Sequence, residues 1–455
     1  MFASVILAAG MGTRMKSEMP KVIHKVCDKE LVKWVIDESK KAGADEVVAV
    51  IGHKAEMVRP VVEGDAKIAI QSEQLGTGHA VMQAVPFIKD YKGYVVILNG
   101  DTPLIRAQTI EAAVKYHTEQ GNSATVITAE LPDATGYGRI VRGDDGSVLR
   151  IVEQKDASED EKKIREINSG MYVFDSDALV QSLDKLEPNN AQGEYYLTDT
   201  LQILREAGKK IGGFTIDDND EIRGINNRIQ QSEAELIMQD RINKRHMTNG
   251  VTIINPSTVI IGAEAEIGQD TIIASNVTIL GNTRIGSNCV IEMGCKLENA
   301  QLADNVTVTS SVILDSEIGE GTSVGPFAYV RPGNKVGKNV KVGDFVELKN
   351  DTVGDGTKIS HLTYLGDSDI GKNVNFGCGT VTCNYDGKNK FRSTIGDNVF
   401  VGCNTNFVSP VKVGDGAYIA AGSTITEDIP ENNLSIARAR QVNKADWKGN
   451  KYTEE

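Results

Sequence analysis

The sequence predicts a mixed α/β chain of two unlike modules: a mostly parallel, helix-covered sheet, then a helix, then a solenoid of short parallel β-strands. Three observations carry this. From about Val251 onward, glycines preceded by an aliphatic residue or Phe recur at separations of 6 or 12 within blocks, as at Ile261-Gly262 and Ile267-Gly268, Ile318-Gly319 and Val324-Gly325, Val336-Gly337 and Val342-Gly343, Ile370-Gly371 and Phe376-Gly377, and Ile395-Gly396, Val401-Gly402 and Val413-Gly414. Residues 1–228 lack that period and alternate β-branched runs with amphipathic stretches. Residues 229–249, IQQSEAELIMQDRINKRHMTN, contain no proline or glycine and are rich in helix formers.

Each element follows from its pattern. A hexad is the mark of a parallel β-helix, in which each unit is a strand and a corner; the apolar residue points inward and glycine lets the corner turn without a Cβ clash. A helix cannot generate a period of six. The coil is expected to take roughly 18 residues in three sides, with an irregularity between Gly377 and Gly396, where the polar stretch GTVTCNYDGKNKFRST (379–394) reads as a loop. In the first module Ala3–Leu7, Glu46–Val50, Tyr94–Leu98 and Thr125–Ala129 read as strands, and Leu31–Lys41 and Thr109–Glu119 as helices. Such alternation gives a sheet covered on both faces, with ligands at the carboxyl ends of its strands. The expected division is 1–228, a helical arm over 229–249 that would span roughly 30 Å, and 250–455 including an irregular charged tail.

Composition narrows the function. A length of 455 residues predicts two or three domains, and 40% hydrophobic with 25% charged residues is ordinary for a soluble globular protein. The net charge of −14 argues against nucleic-acid or anionic-membrane partners, though a few local cations suffice for anionic small molecules. Six cysteines without a C-x-x-C and only six histidines argue against a structural zinc site, and a core this large needs no disulfides. The opening MFASVILAAG has no basic region and reads as a buried strand, and no run reaches membrane-spanning length, so the expected location is cytoplasmic.

The strongest local signal is LAAGMGTRMKSEMPK, residues 7–21. A strand ends, a glycine-rich turn offers backbone N–H groups to phosphates, and Arg14 and Lys21 add fixed positive charge. It is neither a Walker A loop nor G-x-G-x-x-G. The stretch resembles the nucleotidyltransferase family that makes sugar nucleotides, whose fingerprint runs L-x-A-G-x-G-T-R…P-K. QSEQLGTGHA (71–80), NGD (99–101), GYGRI (136–140) and GINNR (224–228) extend the resemblance. It implies that Leu7, Ala8, Ala9, Gly10 and Lys21 contact the nucleotide and that Gln71, Gly76 and Thr77 read the uracil. It further implies that Gly138, Glu153, Asn168 and Asn226 face the sugar, that Asp101 and Asn226 hold Mg²⁺, and that Arg14 and Lys21 stabilise the charge that builds during transfer.

In the solenoid the informative block is 345–387, FVELKNDTVGDGTKISHLTYLGDSDIGKNVNFGCGTVTCNYDG. His361 is the last histidine of the chain, and HLTYLGD breaks the rule of small polar corners. Arg331 and Lys349 lie one or two coils earlier, and Asn375, Asn384 and Tyr385 follow. Cations, a base and polar donors make a site for a phosphorylated amine. With RPG at 331–333 and NYDG at 384–387, the whole chain resembles the bacterial family of bifunctional N-acetylglucosamine-1-phosphate uridyltransferase / glucosamine-1-phosphate acetyltransferase. The resemblance implies a left-handed β-helix and a homotrimer with acetyl-transfer sites where subunits meet. His361 would be the general base, and Arg331, Lys349, Tyr364 and Asn375 would hold glucosamine-1-phosphate. Acetyl-CoA would lie against Cys378, Asn384, Tyr385, Cys403, Ala421 and Arg438. Cys378 and Cys403 stand where the family has Ala and Ser, and read as small packing residues, not nucleophiles. The product, N-acetylglucosamine-1-phosphate, would take uridylyl from UTP at the first site. A nucleotidyltransferase carrying the solenoid only as a platform is the alternative; it gives His361, Lys349, Arg331 and Arg438 nothing to do. A surface-binding solenoid would show a regular ladder of identical residues, which this one lacks.

Overall fold

The computed structural model describes residues 1–188 and 193–447. By contacts the chain forms two units, Met1–Met238 and Gln239–Glu455. The first is built on a nine-stranded sheet. Its strands are β1 (Phe2–Ala8), β2 (Glu46–Ile51), β3 (Lys67–Ile70), β4 (Tyr94–Asn99), β5 (Ala124–Glu130), β6 (Arg139–Arg142), β7 (Val148–Val152), β8 (Glu166–Asp175) and β9 (Ile211–Thr215). The order is β9-β5-β8-β4-β1-β2-β3, with β6 pairing β8 and β7.

The four strands and two helices expected from the sequence are present; the helices are α1 (Leu31–Lys41) and α4 (Ala107–Gln120), with α2 (Ala55–Val62) and α3 (Thr77–Ile88) between them. β1 is parallel to β2 and β4, so the carboxyl ends of β1 and β4 lie side by side. Strands buried on both faces need apolar residues at nearly every position, and Val5, Ile6, Val48, Val50, Ile97 and Leu98 are fully buried. β8 departs from the parallel pattern: it runs antiparallel to both β4 and β5, with a register shift between Asn168 and Met171.

Helix α5 (Arg228–Thr248) has 21 residues, and the boundary between the units falls inside it. In its last turns Asn243 donates to the carbonyls of Pro256 (2.8 Å) and Val259 (3.0 Å), closing the start of the solenoid.

The second unit is a parallel β-helix with three faces of 11, 10 and 9 strands. Ile272 pairs with Val290, which pairs with Thr307, which pairs with Ser323, so a regular coil takes 16 to 18 residues. Along one face Ile273, Ile291, Val308, Val324, Val342, Ile359, Phe376, Val401 and Ile419 stack inward, each no more than 2% exposed. Burying one such side chain is worth about 1.5–3 kcal/mol as an upper bound. At the corners Asn276, Asn288, Asn339, Asn373, Asn398 and Asn404 adopt positive φ, which Asn tolerates better than other side chains do. One coil is longer, since Asn375 pairs with Phe400. The loop expected over 379–394 is narrower than the sequence suggested. Val381–Cys383 continues the ladder by pairing with Asn406–Val408, so the insertion is confined to 384–392.

Gly343 shows how closely the coils approach: a Cβ there would lie 2.0 Å from the carbonyl oxygen of Ser360 in the next coil. Gly343→Ala should therefore cost about 1–3 kcal/mol, the usual size of an overpacking penalty. Urea unfolding would measure it, and an unchanged midpoint would show that the coils separate freely there.

Candidate active sites

The first site forms where β1 and β4 end. Gly100 donates its N–H to the carbonyl of Leu7 (2.9 Å), which carries Asp101 alongside the turn that follows Ala8. Gly12 has φ +61°, and a Cβ there would fall 2.5 Å from Cβ of Lys21. Only glycine lets the 9–12 turn and Lys21 come so close. Lys21 then ion-pairs with Asp101 and donates to Oδ1 of Asn226 (3.0 Å), and Arg14 donates to the same oxygen (2.9 Å). The amide N–H of Asn226 is held by Gln230 (2.8 Å), and that of Ile225 by the carbonyl of Asp101 (2.9 Å). Arg14, Asp101, Asn226, Tyr137 and Gln230 line a cavity of about 500 Å³.

The other expected residues of this unit fall into two further groups. Gln71 is buried and donates to the carbonyl of Gly76 (3.1 Å). Gly76 has φ +105°, and Thr77 accepts the N–H of Leu197 (3.2 Å), so this loop is pinned to the 195–197 segment. Gly138, Glu153 and Asn168 also come together: Asn168 donates its N–H to the carbonyl of Gly138 (2.9 Å), and a Cβ on Gly138 would lie 3.1 Å from Oε1 of Glu153. Burial, with the nearby charge of Asp156, raises the Glu153 carboxyl above its ordinary range. Leu7 is half-buried, Ala8 and Ala9 are buried, and Gly10 is exposed, with nothing within 4 Å of where its Cβ would stand.

The second site lies on the β-helix. His361 ends the strand Lys358–His361 and pairs in register with Asp344 one coil earlier. Nδ1 of His361 is 2.6 Å from Oδ1 of Asp344. The hydrogen bond to His361 holds the Asp344 carboxyl below its ordinary range, so it is an acceptor only. Nδ1 must then carry the proton, which leaves Nε2 of the neutral ring as the free base.

Around the neighbouring corner, Asp367 gathers three side chains. It accepts from Lys349 (2.8 Å), Asn384 (2.7 Å) and Asn350 (2.7 Å). Burial would raise its carboxyl, but these hydrogen bonds outweigh that and hold it low. Gly366 makes room for the cluster, since a Cβ there would meet the Tyr364 hydroxyl at 2.4 Å and Nδ2 of Asn384 at 2.8 Å. Arg331 pairs with Glu347 (3.0 Å), the residue that faces Tyr364 across the ladder. Lys390, from the inserted loop, stands close enough to Lys349 for that cation to push its own ammonium below the ordinary value.

Further along, Asn375 is half-buried on its strand. Asn404 donates to the carbonyl of Cys378 (2.7 Å) and Gly422 to that of Cys403 (2.7 Å), so Cys378, Cys403 and Ala421 occupy the same corner of successive coils. Cys378 is half-buried, whereas Cys403 is exposed and not packed as the sequence suggested. Tyr385 and Arg438 are both exposed, and Tyr385 donates to the carbonyl of Gly387 (2.6 Å).

Sequence reasoning missed Asp344, Asp367, Glu347, Asn350 and Lys390. Counting back one coil from His361 would have found Asp344.

Residues 3–221 match the nucleotidyl transferase family, and residues 264–299 and 392–427 match the bacterial transferase hexapeptide repeat. A protein of Acetivibrio thermocellus named "Bifunctional protein GlmU" is 57% identical over 444 residues, covering 98% of this chain and 96% of that protein. The chain belongs to the GlmU family. Proteins of the same name from Clostridium beijerinckii (53% over 445 residues, 98% and 97% covered) and Brevibacillus brevis (52% over 444 residues, 98% and 96% covered) agree. It is thus a bifunctional transferase that joins a nucleotidyltransferase module to a hexapeptide-repeat acetyltransferase module.

Asp351 lies just behind the Asp367 cluster, 1% exposed, and accepts the N–H groups of Lys349 (3.0 Å) and Ser368 (2.7 Å). Burial pushes its carboxyl from an ordinary 3.8 up to about 7, despite these bonds and the charge of Arg392. The folded chain therefore holds this proton where the unfolded chain has lost it. The resulting stabilisation is full below about pH 4 and is lost as pH rises towards 7. Asp351→Ser should flatten the dependence of Tm on pH in that window; an identical slope in the variant would contradict the assignment.

Proposed function

We propose that the two sites carry out successive steps: acetyl transfer from acetyl-CoA to glucosamine-1-phosphate within 250–455, then uridylyl transfer from UTP to N-acetylglucosamine-1-phosphate within 1–228, the helix over 229–249 joining them. The observation that carries the first step is the Asp344–His361 pair and the Lys349–Asp367–Asn384 cluster at the two ends of one β-helix face, that of Glu347–Lys349 and Tyr364–Gly366.

The amino group of the sugar, with an ordinary pKa of about 8, must lose a proton to become a nucleophile. Once that proton has gone to solvent, Nε2 of His361 takes a second one as nitrogen attacks the thioester carbonyl and delivers it to the departing sulfur, so the coenzyme leaves as its thiol. Asp344 keeps Nδ1 protonated and stabilises the imidazolium that forms. Arg331 and Lys349, with Lys390, neutralise the phosphate. Tyr364 and Asn375 flank the sugar. Asn384, Tyr385, Cys378, Cys403, Ala421 and Arg438 form the coenzyme surface.

In the second step an oxygen of the sugar phosphate attacks the α-phosphorus of UTP and pyrophosphate leaves. Positioning and charge neutralisation carry the rate. Arg14 and Lys21 supply fixed charge, the 7–10 turn supplies backbone contacts, Gln71, Gly76 and Thr77 read uracil, and Gly138, Glu153, Asn168 and Asn226 face the sugar. The residues fit Mg²⁺: the Lys21 ammonium sits between the Asp101 carboxylate and Oδ1 of Asn226, the kind of hard oxygen pair such a cation takes. Asp101 and Asn226 would hold the ion, which when bound neutralises phosphate charge. The working protein is a cytoplasmic homotrimer whose acetyl-transfer sites are completed where subunits meet. A negative chain whose helices are nowhere long and apolar enough to cross a membrane, among the described residues, suits small-molecule substrates.

Two substitutions separate the steps. His361→Ala should lower acetyl transfer by roughly 10²–10⁴-fold and spare uridylyl transfer, and Asp101→Ala should do the reverse. If either change abolished both activities in a folded protein, the assignment of independent sites would fail.

A further inference from the structure

The solenoid's one long coil inserts residues 384–392, and the insertion closes on itself as a small hairpin. Tyr385 bridges Lys390, and Phe391 donates its N–H to the carbonyl of Asn384 (2.9 Å). Oδ1 of Asp386 caps the N–H groups of Lys388 (2.8 Å) and Asn389 (2.6 Å). The loop is therefore rigid within itself, but its aim depends on how its two ends are fastened. One end is Asn384, held by Asp367. The other is Arg392, whose guanidinium makes four hydrogen bonds: to Oδ1 (2.5 Å) and Oδ2 (2.8 Å) of Asp369, and to the carbonyls of Ser368 (3.0 Å) and Asn350 (2.8 Å).

These partners belong to two different coils. Asp369 and Ser368 follow the Asp367 corner, and Asn350 follows Lys349 on the coil before, its own side chain also bound to Asp367. An exposed ion pair alone is worth little. A planar fork that meets a carboxylate bidentately and also takes two carbonyls fixes a direction as well as a charge, which neither lysine nor a single hydrogen bond can do.

We propose that Arg392 is a positioning residue for the acetyl-acceptor site: it clamps the 384–392 hairpin onto the two coils that carry Lys349 and Asp367, and so holds Lys390 over the sugar phosphate. This deepens the proposed acetyl-transfer reading and rests on it for the substrate. The hairpin presents Lys390 beside Lys349 and Arg331, like charges whose repulsion of a loose loop the Asp367 carboxylate offsets only in part. A fixed anchor offsets that repulsion before the phosphate arrives, which is preorganisation.

The full-length protein, Arg392→Ala and Arg392→Gln would be compared in two assays. A lysine-specific protease reads loop mobility directly, because Lys388 and Lys390 are exposed on the hairpin. Cleavage there should quicken about tenfold in Arg392→Ala and in the shorter Arg392→Gln, since cutting follows the open population and neither variant can reach all four acceptors. In acetyl transfer, KM for glucosamine-1-phosphate should rise about tenfold while kcat stays within about threefold, the sign of lost ground-state positioning, with Tm nearly unchanged. Unchanged cleavage and KM in Arg392→Ala would overturn the proposal. So would a fall in Tm that accounts for both, because Arg392 would then be a fold residue only. A wild-type protein with no acetyl transfer would remove the functional reading, while the cleavage rates would still decide whether Arg392 clamps the loop.

Discussion

The backbone ladder between successive coils is the constraint on which the second unit depends. Strands two to four residues long have no stability alone; each exists because its N–H and C=O groups pair with the coils before and after, as Ile272 does with Thr252 and Val290. Inward aliphatic residues then stack at every rung, and corner glycines and asparagines let the chain turn. The same ladder imposes an address on every outward side chain. Residues 16 to 18 positions apart become neighbours, which is how Asp344 meets His361 and Lys349 meets Asp367.

The first unit meets a different constraint with the same economy. Parallel strands β1 and β4 end together, and the polypeptide beyond them has few ways to turn. Gly12 and Gly100 permit two close backbone approaches, and Asp101, Lys21 and Arg14 converge as a result. A lysine clasped between a carboxylate and an amide oxygen is a balanced arrangement of charges at the ends of these two strands. In both units, carboxylates preorganise the basic groups: Asp101 for Lys21, Asp344 for His361, Asp367 for Lys349.

Much of this was legible in the sequence, and the rest has identifiable reasons for its silence. The hexads declare the β-helix because burial alternates with turning at a fixed period. The strands at Ala3–Leu7 and Tyr94–Leu98 declare themselves through continuous β-branched runs. The antiparallel course of β8 was not legible, because the identity of a strand's neighbours is not written in its own residues. Asp344 and Asp367 escaped notice because their partners lie a coil away, and the inserted loop breaks the count just where Lys390 and Arg392 would have been placed. Asp351 escaped for another reason: its neighbours on the same inner ladder, Ser316, Asn334 and Ser368, are small and polar, and an aspartate among them looks unremarkable until its burial is known.

Chemistry on the solenoid is what sets this protein apart from a nucleotidyltransferase on a platform. The most direct measurement is to incubate the purified protein with glucosamine-1-phosphate and acetyl-CoA, without UTP, and to follow the sugar phosphate by mass spectrometry. The arrangement of His361, Asp344 and the Lys349–Asp367 cluster predicts N-acetylglucosamine-1-phosphate with one free coenzyme thiol released per acetyl group. No acetylated sugar, alongside intact uridylyl transfer to substrate that is already acetylated, would contradict it and leave the solenoid as a platform.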